Sequence, residues 1–140
     1  MHSLGQTANF KLEKLNIDID RIPVALNSKL KESIRIKHAE EVSEEFHARY
    51  DCKGKKYRYV INNSNCASAI YRDLEYYTPV KLDVAKMKKA IKHFEGEHDF
   101  KGFKASGTSS KSSVREIYKA EIIEDGDRIN IELSRKRIFV

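Results

Sequence analysis

The 140-residue sequence predicts an α+β fold, with a mixed or antiparallel sheet and helices packed on one of its faces. Three stretches predict it. "KKYRYVIN" alternates apolar and basic side chains at period two. "LDVAKMKKAIKHFEG" repeats its apolar residues at three and four. "VREIYKAEII" and "RINIEL" flank "EDGD", a strong hairpin signal.

The elements follow in order. "GQTANFK" reads as a short strand ending near Phe10. "IDIDRIPVALNSKL" reads as a short helix, with Asp20 as N-cap and Pro23 in the first turn, where a missing N–H costs little. "SIRIKHAEEV" alternates Ile34 and Ile36 with Arg35 and Lys37, the pattern of a half-buried strand. "KKYRYVIN" places Tyr57, Tyr59 and Ile61 on one strand face and Arg58 and Val60 on the other. "NNSNCASA" is a polar loop, and "AIYRDLEYYTP" is ambiguous. Val84, Met87, Ile91 and Phe94 share one helical face, capped by Asp83 and ended by Gly96, with most lysines opposite. In the hairpin, Ile129, Ile131 and Leu133 alternate with Arg128, Asn130 and Glu132. No internal repeat occurs.

Composition narrows the function. A hydrophobic fraction of 40% with 34% charged residues fits a globular chain of about one domain. No apolar run approaches the ~20 residues of a membrane span, so no membrane partner is expected. The first residues lack the basic and apolar regions of a secretory signal, and Cys52 and Cys66 read as reduced thiols. The expected location is therefore the cytoplasm. The net charge of +6 is segregated: His47–Tyr59 holds five basic residues against Asp51, and Lys101–Lys119 holds five against Glu116. Arg135, Lys136 and Arg137 add to it, while acid gathers in "EEVSEE". Segregated positive charge points to a polyanion, with a solvated surface as the plain alternative.

Other chemistries fare poorly. Cys52 and Cys66 lack a C-x-x-C partner, and His47 and His98 stand far off, so no metal is expected. Gly102 and Gly107 have P-loop spacing, but Thr108 stands where the phosphate-binding Lys belongs, which excludes that nucleotide site. In "GEHDF" a His–Asp pair is outweighed by capping and by packing of Phe100 and Phe103. Tyr57 and Tyr59 beside Lys and Arg suit an unstacked base, a ring face being worth about 1–3 kcal/mol per base. Equally, both rings fit the core face of an amphipathic strand.

"FHAR", "KKYRYVI", "LDVAKMKKAIKHFEGEHDFKGF" and "SSVREI", in that order, closely resemble the tRNA pseudouridine synthase A (TruA-type) family. "LGQTANF", "LNSKL…SIRI" and the closing "IFV" extend the resemblance over essentially the whole chain. It implies cofactor-free isomerisation of uridine to pseudouridine on the 3′ side of the tRNA anticodon stem-loop. In that chemistry an Asp attacks the flipped nucleotide, an Arg pairs with the Asp, and a Tyr stacks on the base. It also implies two α/β halves around a basic cleft, assembled as a homodimer.

Carried over residue by residue, Tyr57 matches the base-contacting Tyr. Phe46, His47, Ala48, Arg49 and Tyr50 match a segment that contacts tRNA and assists base flipping. Lys55, Lys56 and Arg58 extend the RNA-binding surface around Tyr57. Gly107, Thr108, Ser109, Ser110 and Lys111 match a second tRNA-contacting loop. Tyr59 is expected in the core.

The departures set further expectations. The family nucleophile lies in G-R-T-D-A-G-V-H shortly before L-G-Q, whereas "MHSLGQ" opens this sequence. The family's M-V-R segment, whose Arg pairs with the nucleophile, follows F-V, where this sequence ends. Residues 1–50 are thus expected to be a remnant of the N-terminal half, and 51–140 most of the C-terminal half. The truncated chain is expected to lack a catalytic residue, to be inactive alone, and to self-associate through exposed edges. The alternatives are a non-catalytic RNA-binding remnant and, least favoured, an enzyme with Asp18, Asp51 or Asp99 as substitute nucleophile. "RKRI" before Phe139 also departs from the Gly- or Asn-rich sequence usual there.

Overall fold

The computed structural model describes residues 2–103 and 112–136. Two compact units divide the chain, Ser3–Asp51 and a second running from Cys52 onward. The second unit holds a five-stranded mixed sheet, as expected for an α+β chain. Its strands are β1 (Gly54–Asn62), β2 (Tyr76–Tyr77), β3 (Gly96–Asp99), β4 (Val114–Asp125) and β5 (Arg128–Lys136). They lie in the order β2-β1-β5-β4-β3, with β2 parallel to β1 and every other pairing antiparallel.

The hairpin is the spine. β4 and β5 pair from Asp125↔Arg128 to Ile117↔Arg135, with a bulge between Ile117 and Lys119. Gly126 takes the positive φ (58°) that the first residue of a two-residue II′ turn demands. β1 then pairs with β5 from Gly54↔Lys136 to Asn62↔Arg128. Gly54 is needed for steric reasons, because a Cβ there would sit 2.8 Å from the Arg135 carbonyl oxygen.

The helix α2 (Val84–Ile91) continues into a 3-10 turn, Lys92–Phe94. The Asp83 carboxylate accepts from the Lys86 N–H at 2.9 Å, the expected cap. Gly96, at φ 102°, follows the last turn. The apolar stripe packs on β4: Ile91, Ile117 and Ala120 form the buried cluster, flanked by Phe94, Phe100, Ile122, Ile131 and Leu133. Beyond β3 the outer edge of β4 is closed by side chains. Glu95 Oε1 accepts from the Ala120 N–H at 3.0 Å, and Lys92 Nζ donates to the Ala120 carbonyl at 3.1 Å.

At the far end of β1, buried Asn62 and its neighbour Asn63 knot the polar loop to the sheet. Asn62 donates to Glu75 Oε1 at 2.7 Å. Asn63 donates to the Thr78 and Val80 carbonyls and accepts from the Leu82 N–H. The ambiguous "AIYRDLEYYTP" resolves into turns and the two residues of β2. In "GEHDF", His98 and Asp99 are successive residues of β3 and point to opposite faces, against the His–Asp reading.

Ser3–Asp51 differs from expectation. The helix is present as a 3-10 turn (Ile19–Arg21) leading into α1 (Ile22–Asn27), with Pro23 in its first turn. The cap is not Asp20: Asp18 precedes the 3-10 turn and Arg21 precedes α1, neither with a side-chain cap bond. "GQTANFK" and "SIRIKHAEEV" form no strand and are irregular. Alternation makes a strand only where a neighbour completes the ladder, and none does so in this unit. Ile36 instead finds the Asn27 side chain, whose amide accepts from its N–H at 2.8 Å and donates to its carbonyl at 2.9 Å. No residue of this unit is buried. Among the described residues no helix is long and apolar enough to cross a membrane.

Candidate nucleic-acid interface

β1 sorts its side chains by face. Tyr57, Tyr59 and Ile61 lie opposite Leu133, Ile131 and Ile129 of β5, on the side that carries α2. Because α2 covers β4, only the Ile61 end of this row is buried. Tyr57 and Tyr59 remain 43% and 55% exposed, so Tyr59 is not a core residue. Two aromatic faces therefore stand open on one side of a basic strand.

Lys56 and Arg58 occupy the other face and meet one acid. Arg58 donates to Glu132 Oε1 through Nε (2.7 Å) and Nη2 (2.6 Å). The Lys56 ammonium is the partner of Oε2, which has no other among the described residues. The Glu132 side chain is only 2% exposed, while its two partners are half-exposed. The Lys56 ammonium, then the Arg58 guanidinium, hold this carboxyl below the ordinary glutamate range, overcoming the burial that would raise it. On its other side Glu132 faces Glu121, which pairs with Lys119 at 2.8 Å. Two cations on one acid thus also offset a like-charged cross-strand neighbour.

The same face carries a second cluster. Glu75, with its side chain 3% exposed, accepts from Arg128 Nε at 2.8 Å. The Arg128 bond, assisted by Asn62, lowers the Glu75 pKa. The Arg128 guanidinium lies 4.5 Å from the Tyr71 ring centroid. Val60, Tyr71, Leu74 and Asn130 complete a half-open cavity of about 230 Å³ around this pair.

In the Ser3–Asp51 unit, Phe46–Tyr50 form a braced turn. The His47 N–H donates to Asp51 Oδ2 at 2.6 Å, and the Tyr50 and Asp51 N–H groups return to the His47 carbonyl. Asn9 Oδ1 accepts from the Ala48 N–H at 2.9 Å, and its amide donates to the Phe46 carbonyl at 3.4 Å. The His47 and Tyr50 rings are 4.3 Å apart, and the Arg49 guanidinium lies 6.0 Å from the Tyr50 centroid. Phe46 and Ala48 are half-buried, whereas His47, Arg49 and Tyr50 are exposed. Sequence reasoning missed the braces Asn9 and Asp51, and also Glu132. Their signal is faint, since each is a lone polar residue whose partner is known only once the chain is folded.

Gly107, Thr108, Ser109, Ser110 and Lys111 lie outside the described residues. Among the described residues no group of three His, Cys, Asp or Glu side chains could hold a metal ion. Cys52 and Cys66 are free thiols.

A family model described as tRNA pseudouridine synthase matches residues 90–136, from the end of α2 through β5. The chain is 48% identical over 135 residues to a tRNA pseudouridine synthase A of Ruminiclostridium cellulolyticum. The match covers 96% of this chain and 55% of that relative. A protein of the same name from Acetivibrio thermocellus is 42% identical over 134 residues, covering 96% of this chain and 54% of the relative. Clostridium perfringens tRNA pseudouridine synthase A 2 is 43% identical, with the same coverage. The chain therefore spans about half the length of the curated relatives it matches. Along nearly all of its residues the chain is thus similar to part of a tRNA pseudouridine synthase A.

Proposed function

We propose that these residues form the base- and backbone-gripping part of a tRNA pseudouridine synthase, an isomerase that converts uridine to pseudouridine in the anticodon stem-loop. The observation that carries this reading is Tyr57, an open ring on a basic strand inside a chain matched over 96% of its length by synthases. A flipped uracil stacks on Tyr57. Arg49, on its braced turn, and Lys55 bind backbone phosphates, and residues 107–111 add further contacts. Lys56 and Arg58 together carry one positive charge more than Glu132 compensates, and they serve first to hold the strand.

No G-R-T-D motif occurs within the 140 residues. Opening the glycosidic bond through a covalent intermediate needs a positioned carboxylate, which solvent does not replace. These residues alone are accordingly expected to bind tRNA without turning it over. The test is tritium release from tRNA labelled at uridine C5, with a full-length relative as positive control. Release by the 140 residues alone would refute the assignment of the nucleophile elsewhere. Release only after the remaining half of a relative's sequence is supplied would support it. Binding that never leads to release, even with that half present, would favour a non-catalytic RNA-binding protein.

A further inference from the structure

On the Tyr57 side of the sheet, Lys55 of β1 stands directly opposite Arg135 of β5. Arg135 has Ile117 of β4 as its other cross-strand neighbour, so no acid flanks it in the register. Neither Lys55 nor Arg135 forms an ion pair with any described residue. Like charges placed directly opposite are destabilising in a sheet. The contrast with the other face is direct. There Lys56 and Arg58 share the buried Glu132, while here two cations stand opposite each other with no acid among the described residues paired to either. Lys55 is exposed and Arg135 half-buried, so the pair opens to solvent beside Tyr57. Lys55 and Tyr57 are two residues apart on one strand face, about 7 Å along the strand.

We propose that Lys55 and Arg135 form a phosphate-binding pair, which takes the RNA backbone phosphate next to the nucleotide stacked on Tyr57. The proposal rests on the tRNA reading above and adds to it a residue, Arg135, and a ligand group. A phosphate anion supplies the negative charge that the sheet omits here, and the guanidinium offers it two parallel donors.

The test uses Arg135→Gln, Lys55→Gln and Arg135→Lys, with Lys81→Gln as a generic loss of surface charge. tRNA affinity is measured across salt concentration, and Tm in inorganic phosphate is compared with chloride at matched ionic strength. Arg135→Gln and Lys55→Gln are each expected to reduce the log K–log salt slope by about 0.7–0.9. Arg135→Lys is expected to keep the slope, and Lys81→Gln to change it least. Phosphate is expected to raise the Tm of the parent chain but not of Arg135→Gln. Unchanged slopes in both Gln variants, with far-UV circular dichroism intact, would overturn the proposal. Equal phosphate protection of all variants would overturn it as well. Uridine monophosphate protecting the parent as well as tRNA does would overturn the backbone assignment in favour of a free-nucleotide site. Phosphate protection lost in Arg135→Gln, with no variant binding tRNA, would uphold the anion pair and defeat the tRNA reading instead.

Discussion

Removing the cations around Glu132 is expected to cost more than removing Glu132 itself. Arg58 gives Oε1 two charge-assisted bonds, at 2.7 and 2.6 Å. A hydrogen bond to a charged group is worth about 1.5–3 kcal/mol. With Lys56 still in place, Arg58→Ala is expected to cost ~2 kcal/mol at pH 7. The double variant Lys56→Ala/Arg58→Ala strands a nearly buried carboxylate opposite Glu121, a loss of about 3–5 kcal/mol. Glu132→Gln is milder, at most ~1 kcal/mol, because the half-exposed cations return to water and the Glu121 repulsion disappears. The assay is urea unfolding followed by far-UV circular dichroism.

Acid sharpens the same test. The Glu132 pKa is lowered in the fold, so its stabilisation is present above the unfolded value of about 4.3 and is lost as pH falls through the folded value. The penalty of the double variant should therefore shrink on acidification, since a protonated Glu132 no longer needs cations. A double variant that loses no more than Glu132→Gln at pH 7, or a penalty that persists in acid, would refute the buried-acid account.

Other expectations are more local. Gly54→Ala drives a Cβ to 2.8 Å from the Arg135 carbonyl oxygen and should cost about 1–3 kcal/mol in urea unfolding. Asp83→Ala removes the bond to the Lys86 N–H and should cost ~1 kcal/mol, visible as reduced helical signal before the sheet unfolds. Asn9→Ala releases Phe46 and Ala48, loosening the turn by ~1 kcal/mol. If that turn contacts tRNA, affinity should fall up to about fivefold with the sheet's unfolding unchanged. Self-association is expected as well, and a sedimentation coefficient independent of concentration would count against it.

Legibility in the sequence depended on whether an element's partner lay close by. The α2 stripe, its Asp83 cap and the Asp125-Gly126 hairpin are settled by neighbours in sequence, and each forms where it was read. "SIRIKHAEEV" carries as good an alternation as β1, yet only β1 has a partner strand among these residues, and only β1 is a strand. Tyr59 misled for a related reason. Period-two alternation tells which residues share a face, but not how far along the sheet α2 reaches to cover them. Within the candidate site, the contrast between Lys55 and Lys56 was illegible in "KGKKYRY". It appears only once the β1–β5 register sets Lys55 against Arg135 and aligns Arg58 with Glu132.

The exposed surface carries the same logic to the whole chain. A folded monomer of 16.2 kDa exposes about 7,500 Å². This chain exposes 12175 Å². Leu4, Phe10, Val24 and Ile70 are each more than 60% exposed, and among the described residues five hydrophobic residues make up the buried core. Each exposed apolar side chain of this size leaves about 1.5–3 kcal/mol of burial free energy unrealised. The relatives are nearly twice as long as the stretch they share with this chain. The basic face around Tyr57 is different in kind: its Lys55–Arg135 pair repels a protein strand of like charge and attracts a phosphate. The two kinds of exposed surface thus differ in chemistry, one apolar and the other cationic beside an open tyrosine.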